Sequence, residues 1–151
     1  MPFRCILLLF LLTTQVRAYE TVAVLSGTGK VIDGDGILFG EIEVRLQGIA
    51  APEAGSHKVE PGGRESTENL RKLVDGKLVT CHLDGSVAGR TQRPAGICFV
   101  DGIETNRYQV ETGNARDCPA YSKGRYHDAE MDARKAGNDL SRTYDLPTYC
   151  R

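Results

Sequence analysis

The residues best suited to chemistry in this sequence are acids and arginines between Asp33 and Glu53. Asp33 and Asp35 stand in the turn sequence "DGDG", and carboxylates of this kind are ligands that a hard cation such as calcium takes. Arg45 and Glu53 stand at the two ends of the short stretch "RLQGIAAPE". Each feature alone also has an ordinary explanation, because Asp-Gly pairs form turns and single charged residues cover surfaces. Their chemistry therefore depends on whether the fold brings them together.

Hydrophobic periodicity predicts the strands that position these residues. In "IEVRLQ", Ile42, Val44 and Leu46 alternate with polar residues, which predicts a strand with one buried face. This strand is the last of three in "GKVIDGDGILFGEIEVRLQGI", where glycines mark the turns. The segments "KLVTCHL" and "PAGICFV" predict a fourth and a fifth strand.

Three helices complete the predicted fold. One begins at about Ser66 and stops at Gly76, and the others cover about 106–112 and 126–136, each followed by a glycine. Five short strands with a helix between the third and the fourth indicate an α+β fold, a five-stranded and partly open β-barrel of the OB type. Other α+β folds are compatible with the same pattern.

Residues 1–18 have the pattern of a secretory signal peptide. Arg4 precedes the apolar run "CILLLFLL", which is too short to span a membrane, and a small-residue cleavage site follows. We therefore expect a mature domain of residues 19–151, secreted or periplasmic and without a membrane segment. Cleavage removes Arg4 and Arg17 but no acid, so 19 basic residues fall to 17 against 20 acidic ones. This balance argues against a generally basic surface but permits a local basic cleft.

The mature chain keeps four cysteines, an even number that indicates two disulfides in an exported protein: Cys81, Cys98, Cys118 and Cys150. No Cys-x-x-Cys pair and no histidine at ligand spacing accompanies them, which argues against a zinc site. Three pairings are possible, and local geometry favours Cys81 with Cys98 and Cys118 with Cys150. The first pair would join adjacent strands, and the second would fix the C-terminal tail.

The order of these motifs resembles that of the staphylococcal-nuclease-like, or thermonuclease, family. The similar segments extend over nearly the whole mature chain and include "VIDGDGI", "VRLQGIAAPE", "ESTENLRKLV" and "DGIETNRYQVETGNA". The cysteine-bearing segments "ARDCPAYSKGRY" and "DLPTYC" resemble a secreted, disulfide-containing bacterial branch of it. That branch includes a nuclease-like protein associated with the exopolysaccharide succinoglycan.

The resemblance implies metal-dependent hydrolysis of phosphodiesters by an endonuclease. Glu53 matches the carboxylate that orients or deprotonates the attacking water, and Arg45 matches an arginine that holds the phosphate. A second arginine is expected just before the fifth strand, where both Arg90 and Arg93 stand, and the strand pattern that follows favours Arg93. The resemblance also implies a calcium ion bound by Asp35 and by the backbone carbonyl of the residue before Pro52, which is Ala51.

Ala50 departs from the family pattern, because an aspartate that binds calcium normally stands there. A site that lacks this charge should bind calcium more weakly, and Ala50→Asp should then restore binding. Two functions follow from the sequence. The first is a monomeric secreted nuclease that acts on DNA or RNA. The second is a non-catalytic OB-type accessory protein of an exopolysaccharide (succinoglycan) or envelope system.

Overall fold

The computed structural model describes residues 19–55 and 58–151. The expected signal peptide, residues 1–18, lies outside the described residues. The strands are β1 Ala23–Thr28, β2 Lys30–Asp33, β3 Gly36–Phe39, β4 Ile42–Leu46, β5 Ile49–Ala50, β6 Leu78–Ala88, β7 Arg93–Val100, β8 Ile103–Glu104 and β9 Arg116–Asp117. The α-helices are α1 Gly63–Val74, α2 Thr105–Glu111, α3 Pro119–Ser122 and α4 His127–Lys135, and two 3-10 turns cover Leu140–Arg142 and Thr148–Cys150.

The main sheet has the strand order β1-β6-β7-β4-β3-β2, and β8 pairs with β7 at its side. The strands β2, β3 and β4 form an antiparallel meander, and β4 then pairs with β7 in parallel. Only Gly29 separates β1 from β2, so the two ends of the sheet belong to one stretch of chain. The sheet curls in this way without forming a closed ring of paired strands among the described residues. The fold is the predicted α+β, OB-type architecture.

The core lies inside the curled sheet and beneath α1. Val44 and Leu46 of β4 are buried as the alternation predicts, whereas Ile42 at the start of the strand is 49% exposed beside the turn at Gly40. Helix α1 contributes a buried face at helical spacing, and one cluster joins it to the sheet: Val31, Ile37, Val44, Leu46, Leu70, Leu73, Val74, Val79, Val100 and Val110. Burial of this apolar surface is the main contribution to folding.

The structure has more elements than the five strands and three helices predicted. Strand β1 is additional. Its residues are largely exposed, so its sequence lacks the alternation of apolar residues that predicts a strand with a buried face. The strands β5, β8 and β9 contain two residues each, and α3 contains four, which is too short for a periodic signal. Helix α1 begins at Gly63, three residues before the predicted start. Helix boundaries are the least predictable part of such an element.

Both predicted disulfides are present. Cys81–Cys98 joins residues that are register partners on β6 and β7, and Cys118–Cys150 joins the start of α3 to the end of the chain across 32 residues. The second bond lies in a separate apolar cluster formed by Ala50, Cys118, Tyr144 and Cys150. We refer to residues 144–151, which this bond fixes, as the C-terminal strap. No helix in the described part of the chain has the length and apolar character needed to cross a membrane.

Candidate active site

The middle strand β4 presents polar side chains on the face opposite the core. Glu43 and Arg45 lie on this face, because residues two apart in a strand point the same way. Arg45 has Gly36 of β3 and Ala95 of β7 as its register partners on either side. Two residues without long side chains therefore flank the guanidinium, and the strand position predicted for Arg45 is the one observed.

Asp35 is the buried partner of Arg45. Its carboxylate forms an ion pair with the Arg45 guanidinium, and its second oxygen accepts a hydrogen bond of 2.9 Å from the Ala51 N–H. Burial raises the pKa of Asp35 to about 7, although the charge of Arg45 and the Ala51 N–H oppose this shift. The two residues form a nearly buried pair, since their side chains are 12% and 3% exposed.

A cavity of about 420 Å³ brings together the three residues predicted to be catalytic, Arg45, Glu53 and Arg93. Arg93 begins β7 and forms an ion pair with Glu43. Its Nε atom is buried and has no hydrogen-bond partner among the described residues, so the guanidinium retains an unused donor. Arg90 is exposed in the turn before β7 and does not line this cavity. The geometry therefore places Arg93 rather than Arg90 beside Arg45 and Glu53, while the roles of these residues remain predictions.

Glu53 has a fixed backbone, as Asp35 has, but its carboxylate is not engaged. The Glu53 N–H donates to a carboxylate oxygen of Glu60 at 3.0 Å, and the Glu60 N–H donates to the Glu53 carbonyl at 2.8 Å. No hydrogen bond or ion pair joins the Glu53 carboxylate to another described residue. A half-buried carboxylate at a cavity wall with no internal partner is suited to accept a proton from water.

The residues expected to bind calcium do not form a donor set for it. Asp35 and Ala51 were predicted ligands, but both oxygens of the Asp35 carboxylate are already engaged by Arg45 and by the Ala51 N–H. Ala50 is fully buried and packs in the apolar cluster with Tyr144 and Cys150, so its position faces hydrocarbon and sulfur. No group of three or more potential metal-ligating side chains occurs within the described ranges. Arg45 thus occupies the carboxylate that calcium would need.

Two buried amides on α2 support the loops of this site. Asn106 Nδ2 donates to the Gln47 carbonyl at 2.9 Å, just after the end of β4, and to the Gly96 carbonyl at 3.1 Å, within β7. Gln109 Nε2 donates to the Gly34 carbonyl at 2.6 Å and so holds the turn that carries Asp35. Neither residue was predicted from the sequence. Their spacing of three on one helix face, beside the buried Val110, was the signal available.

Gly34 shows why the "DGDG" turn requires glycine. A Cβ atom at this position would lie 2.0 Å from the Ser66 hydroxyl and 2.8 Å from the Ala51 side chain. The turn therefore packs directly against α1 and against the loop that leads to Glu53. This close approach brings the Asp35 carboxylate within reach of the Ala51 N–H.

Comparison with known proteins gives this fold and site a family. Residues 43–140 match the family described as "Staphylococcal nuclease homologue". The chain is also 31% identical over 145 residues to the "Succinoglycan biosynthesis protein ExoI" of Rhizobium meliloti (strain 1021). This alignment covers 91% of this chain and 73% of that protein. The chain belongs to the staphylococcal nuclease family. The family match begins after Asp35 and ends before the C-terminal strap.

Proposed function

We propose that this chain is an exported nuclease that hydrolyses phosphodiester bonds of DNA or RNA in the cavity formed by Arg45, Glu53 and Arg93. The observation that supports it most is the position of an unengaged carboxylate, Glu53, on the same cavity as two guanidinium groups. Family membership supports the same class of reaction. The two disulfides fit export to an oxidising compartment as residues 19–151.

In this proposal each group has one task. Glu53 accepts a proton as the water oxygen attacks phosphorus, and the phosphorus–oxygen ester bond on the opposite side breaks. Arg45 and Arg93 hold the phosphate and stabilise the negative charge that develops on its non-bridging oxygens. Each guanidinium already has one acidic partner, Asp35 for Arg45 and Glu43 for Arg93, so both act as partly neutralised cations. The leaving oxygen takes its proton from solvent.

A second candidate function is that of an accessory protein in exopolysaccharide biosynthesis. One observation favours it, namely that the similar protein from Rhizobium meliloti is a succinoglycan biosynthesis protein and aligns over most of both chains. In that case the same cavity would bind an anionic ligand without cleaving it, and Glu53 would have no catalytic task.

The two functions are separated by a cleavage assay on the purified, disulfide-intact protein. Labelled single-stranded DNA, double-stranded DNA and RNA would each be incubated with EDTA and, separately, with calcium. For a nuclease we expect Glu53→Gln to lower the rate by about 100-fold or more, because an amide cannot accept the proton of water. Glu65→Gln is the matched control, since Glu65 is an exposed acid in the first turn of α1.

Two outcomes would contradict the nuclease proposal. The first is a wild-type protein that cleaves none of the three substrates with either addition, which would favour the accessory function. The second is cleavage that is equal in wild type and Glu53→Gln, which would place the reaction elsewhere.

A further inference from the structure

The C-terminal strap contributes directly to the wall of the cavity. Tyr149 lies on this wall, and its hydroxyl is 3.5 Å from Arg45 Nη2, although the two residues are 104 positions apart in the chain. Tyr121 and Cys118 at the other end of the strap disulfide also line the cavity. A segment outside the family match therefore completes the candidate site.

The strap is firmly held on the rest of the molecule. Cys150 is fully buried in its disulfide with Cys118, and Tyr144 at the start of the strap is 6% exposed. Arg116 Nη1 donates to the Tyr144 carbonyl at 3.2 Å. Tyr149 is thus the neighbour of a fixed, buried residue, so its position costs little conformational entropy when a ligand binds.

Tyr121 and Tyr149 are also unusual in their exposure. They are 51% and 53% exposed, whereas the other tyrosines and phenylalanines in residues 19–55 and 58–151 are buried or half-buried. Their ring centroids are 6.5 Å apart with an angle of 64° between the planes. Val87, which is 53% exposed, lies on the wall of the same cavity. Both largely exposed aromatic rings of the described chain therefore lie at one cavity that two guanidinium groups also line.

This combination selects a class of ligand. A guanidinium floor recognises a phosphate, and exposed aromatic rings beside it offer a surface on which a flat base can stack without sequence preference. We propose that the C-terminal strap is a base-binding subsite, in which Tyr149, assisted by Tyr121, stacks on the nucleobase attached to the phosphate held by Arg45. This inference rests on the proposed function, because it takes a single-stranded nucleic acid as the ligand.

The test compares two oligonucleotide probes that share a backbone. One is a fluorescent single-stranded oligothymidylate, and the other is the same backbone with abasic sites in place of the bases. For Tyr149→Ala we expect roughly tenfold weaker binding of the oligothymidylate and unchanged binding of the abasic probe, because only stacking is lost. Tyr149→Phe keeps the ring and should bind both probes as the wild type does. Arg151→Ala is the control in the same strap, since Arg151 is exposed and does not line the cavity.

Each result supports or overturns the proposal. Equal weakening of both probes by Tyr149→Ala would mean that Tyr149 only positions Arg45, and unchanged binding of both would mean that the strap is not a subsite. Either result with intact cleavage activity would overturn this inference alone and leave the nuclease proposal standing. A wild-type protein that binds neither probe but binds an acidic oligosaccharide would overturn both. Thermal melting and thiol titration of each variant would confirm the fold and the Cys118–Cys150 bond.

Discussion

The disulfides Cys81–Cys98 and Cys118–Cys150 differ in the segments that they connect. The first bond connects residues that already face each other in the ladder between β6 and β7, and it lies in the main core. The second connects two segments that share no strand pairing, in the small cluster beside Ala50. One bond therefore reinforces a barrel that the sheet also holds, while the other fixes the strap against the cavity.

Ala50 lies where the barrel meets the C-terminal strap. Its replacement should have the largest effect that we expect, a loss in the free energy of unfolding. Sequence comparison alone predicts that Ala50→Asp repairs a calcium site, but the structure favours the opposite outcome. A carboxylate at this fully buried position would enter the cluster of Tyr144 and the strap disulfide. An uncompensated buried charge costs about 3–5 kcal/mol, so we expect a loss of this size in the free energy of unfolding.

Urea denaturation with and without calcium would measure this loss. Ala50→Ser is the matched control, because a hydroxyl of similar size carries no charge and should cost far less than the carboxylate. An Ala50→Asp variant that is as stable as the wild type and binds calcium in isothermal titration would contradict this prediction. It would mean that the strap moves away from Ala50 and is not fixed against the barrel.

The two disulfides themselves provide the next test. Replacing Cys81 and Cys98 by alanine should lower the free energy of unfolding by about 3 kcal/mol, on loop-closure entropy, with little change in oligonucleotide affinity. Replacing Cys118 and Cys150, which close the longer loop, should lower it by about 4 kcal/mol on the same argument. It should in addition weaken oligothymidylate binding roughly tenfold, as for Tyr149→Ala, because the strap is released. Urea denaturation and fluorescence anisotropy would measure the two quantities. Equal effects of both pairs on oligothymidylate affinity would show that strap and barrel form one unit.

The parts of the fold that were predicted from sequence are those set by local signals. The strands β2 to β4 follow from alternation and turn glycines, and α1 follows from its apolar face, because each signal lies within a few consecutive residues. The cysteine pairs followed from their number and from the neighbouring strands. Strand β1 was not predictable in this way, since its pairing with β6 depends on residues 50 to 60 positions away.

The candidate site likewise has a part that was predicted from the sequence and a part that was not. Arg45, Glu53 and Arg93 were identified by their order in the chain, and the structure brings them to one cavity. The pairing of Asp35 with Arg45 and the place of Tyr149 were missed. Both arise from tertiary contacts between segments that are far apart in the chain or belong to different elements. The sequence of each segment alone is that of an ordinary turn or an ordinary C-terminal tail. A sequence motif can therefore supply the functional groups of a site without showing which of them already satisfy one another.

The smallest expected effect concerns the Asp35–Arg45 pair and its response to pH. Burial raises the pKa of Asp35 from 3.8 to about 7, so the folded state holds this proton more tightly than the unfolded state between these values. Its contribution to stability therefore falls as pH rises from about 4 to 7, and is lowest above 7. Below pH 7 the protonated carboxyl no longer competes with a phosphate for Arg45.

We therefore expect the wild type to bind a dinucleotide phosphodiester more tightly at pH 6 than at pH 8. The expected difference is roughly threefold, because the phosphate itself lies in an open cavity, where water screens each charge effect to less than about 1 kcal/mol. A diester is the appropriate probe, because a phosphate monoester titrates near pH 6 itself and would confuse the result. In Asp35→Asn the amide cannot ionise, so affinity should become independent of pH over this range. A pH dependence that persists in Asp35→Asn would assign the titration to another group of the cavity, and Glu53→Gln would then identify whether Glu53 is that group.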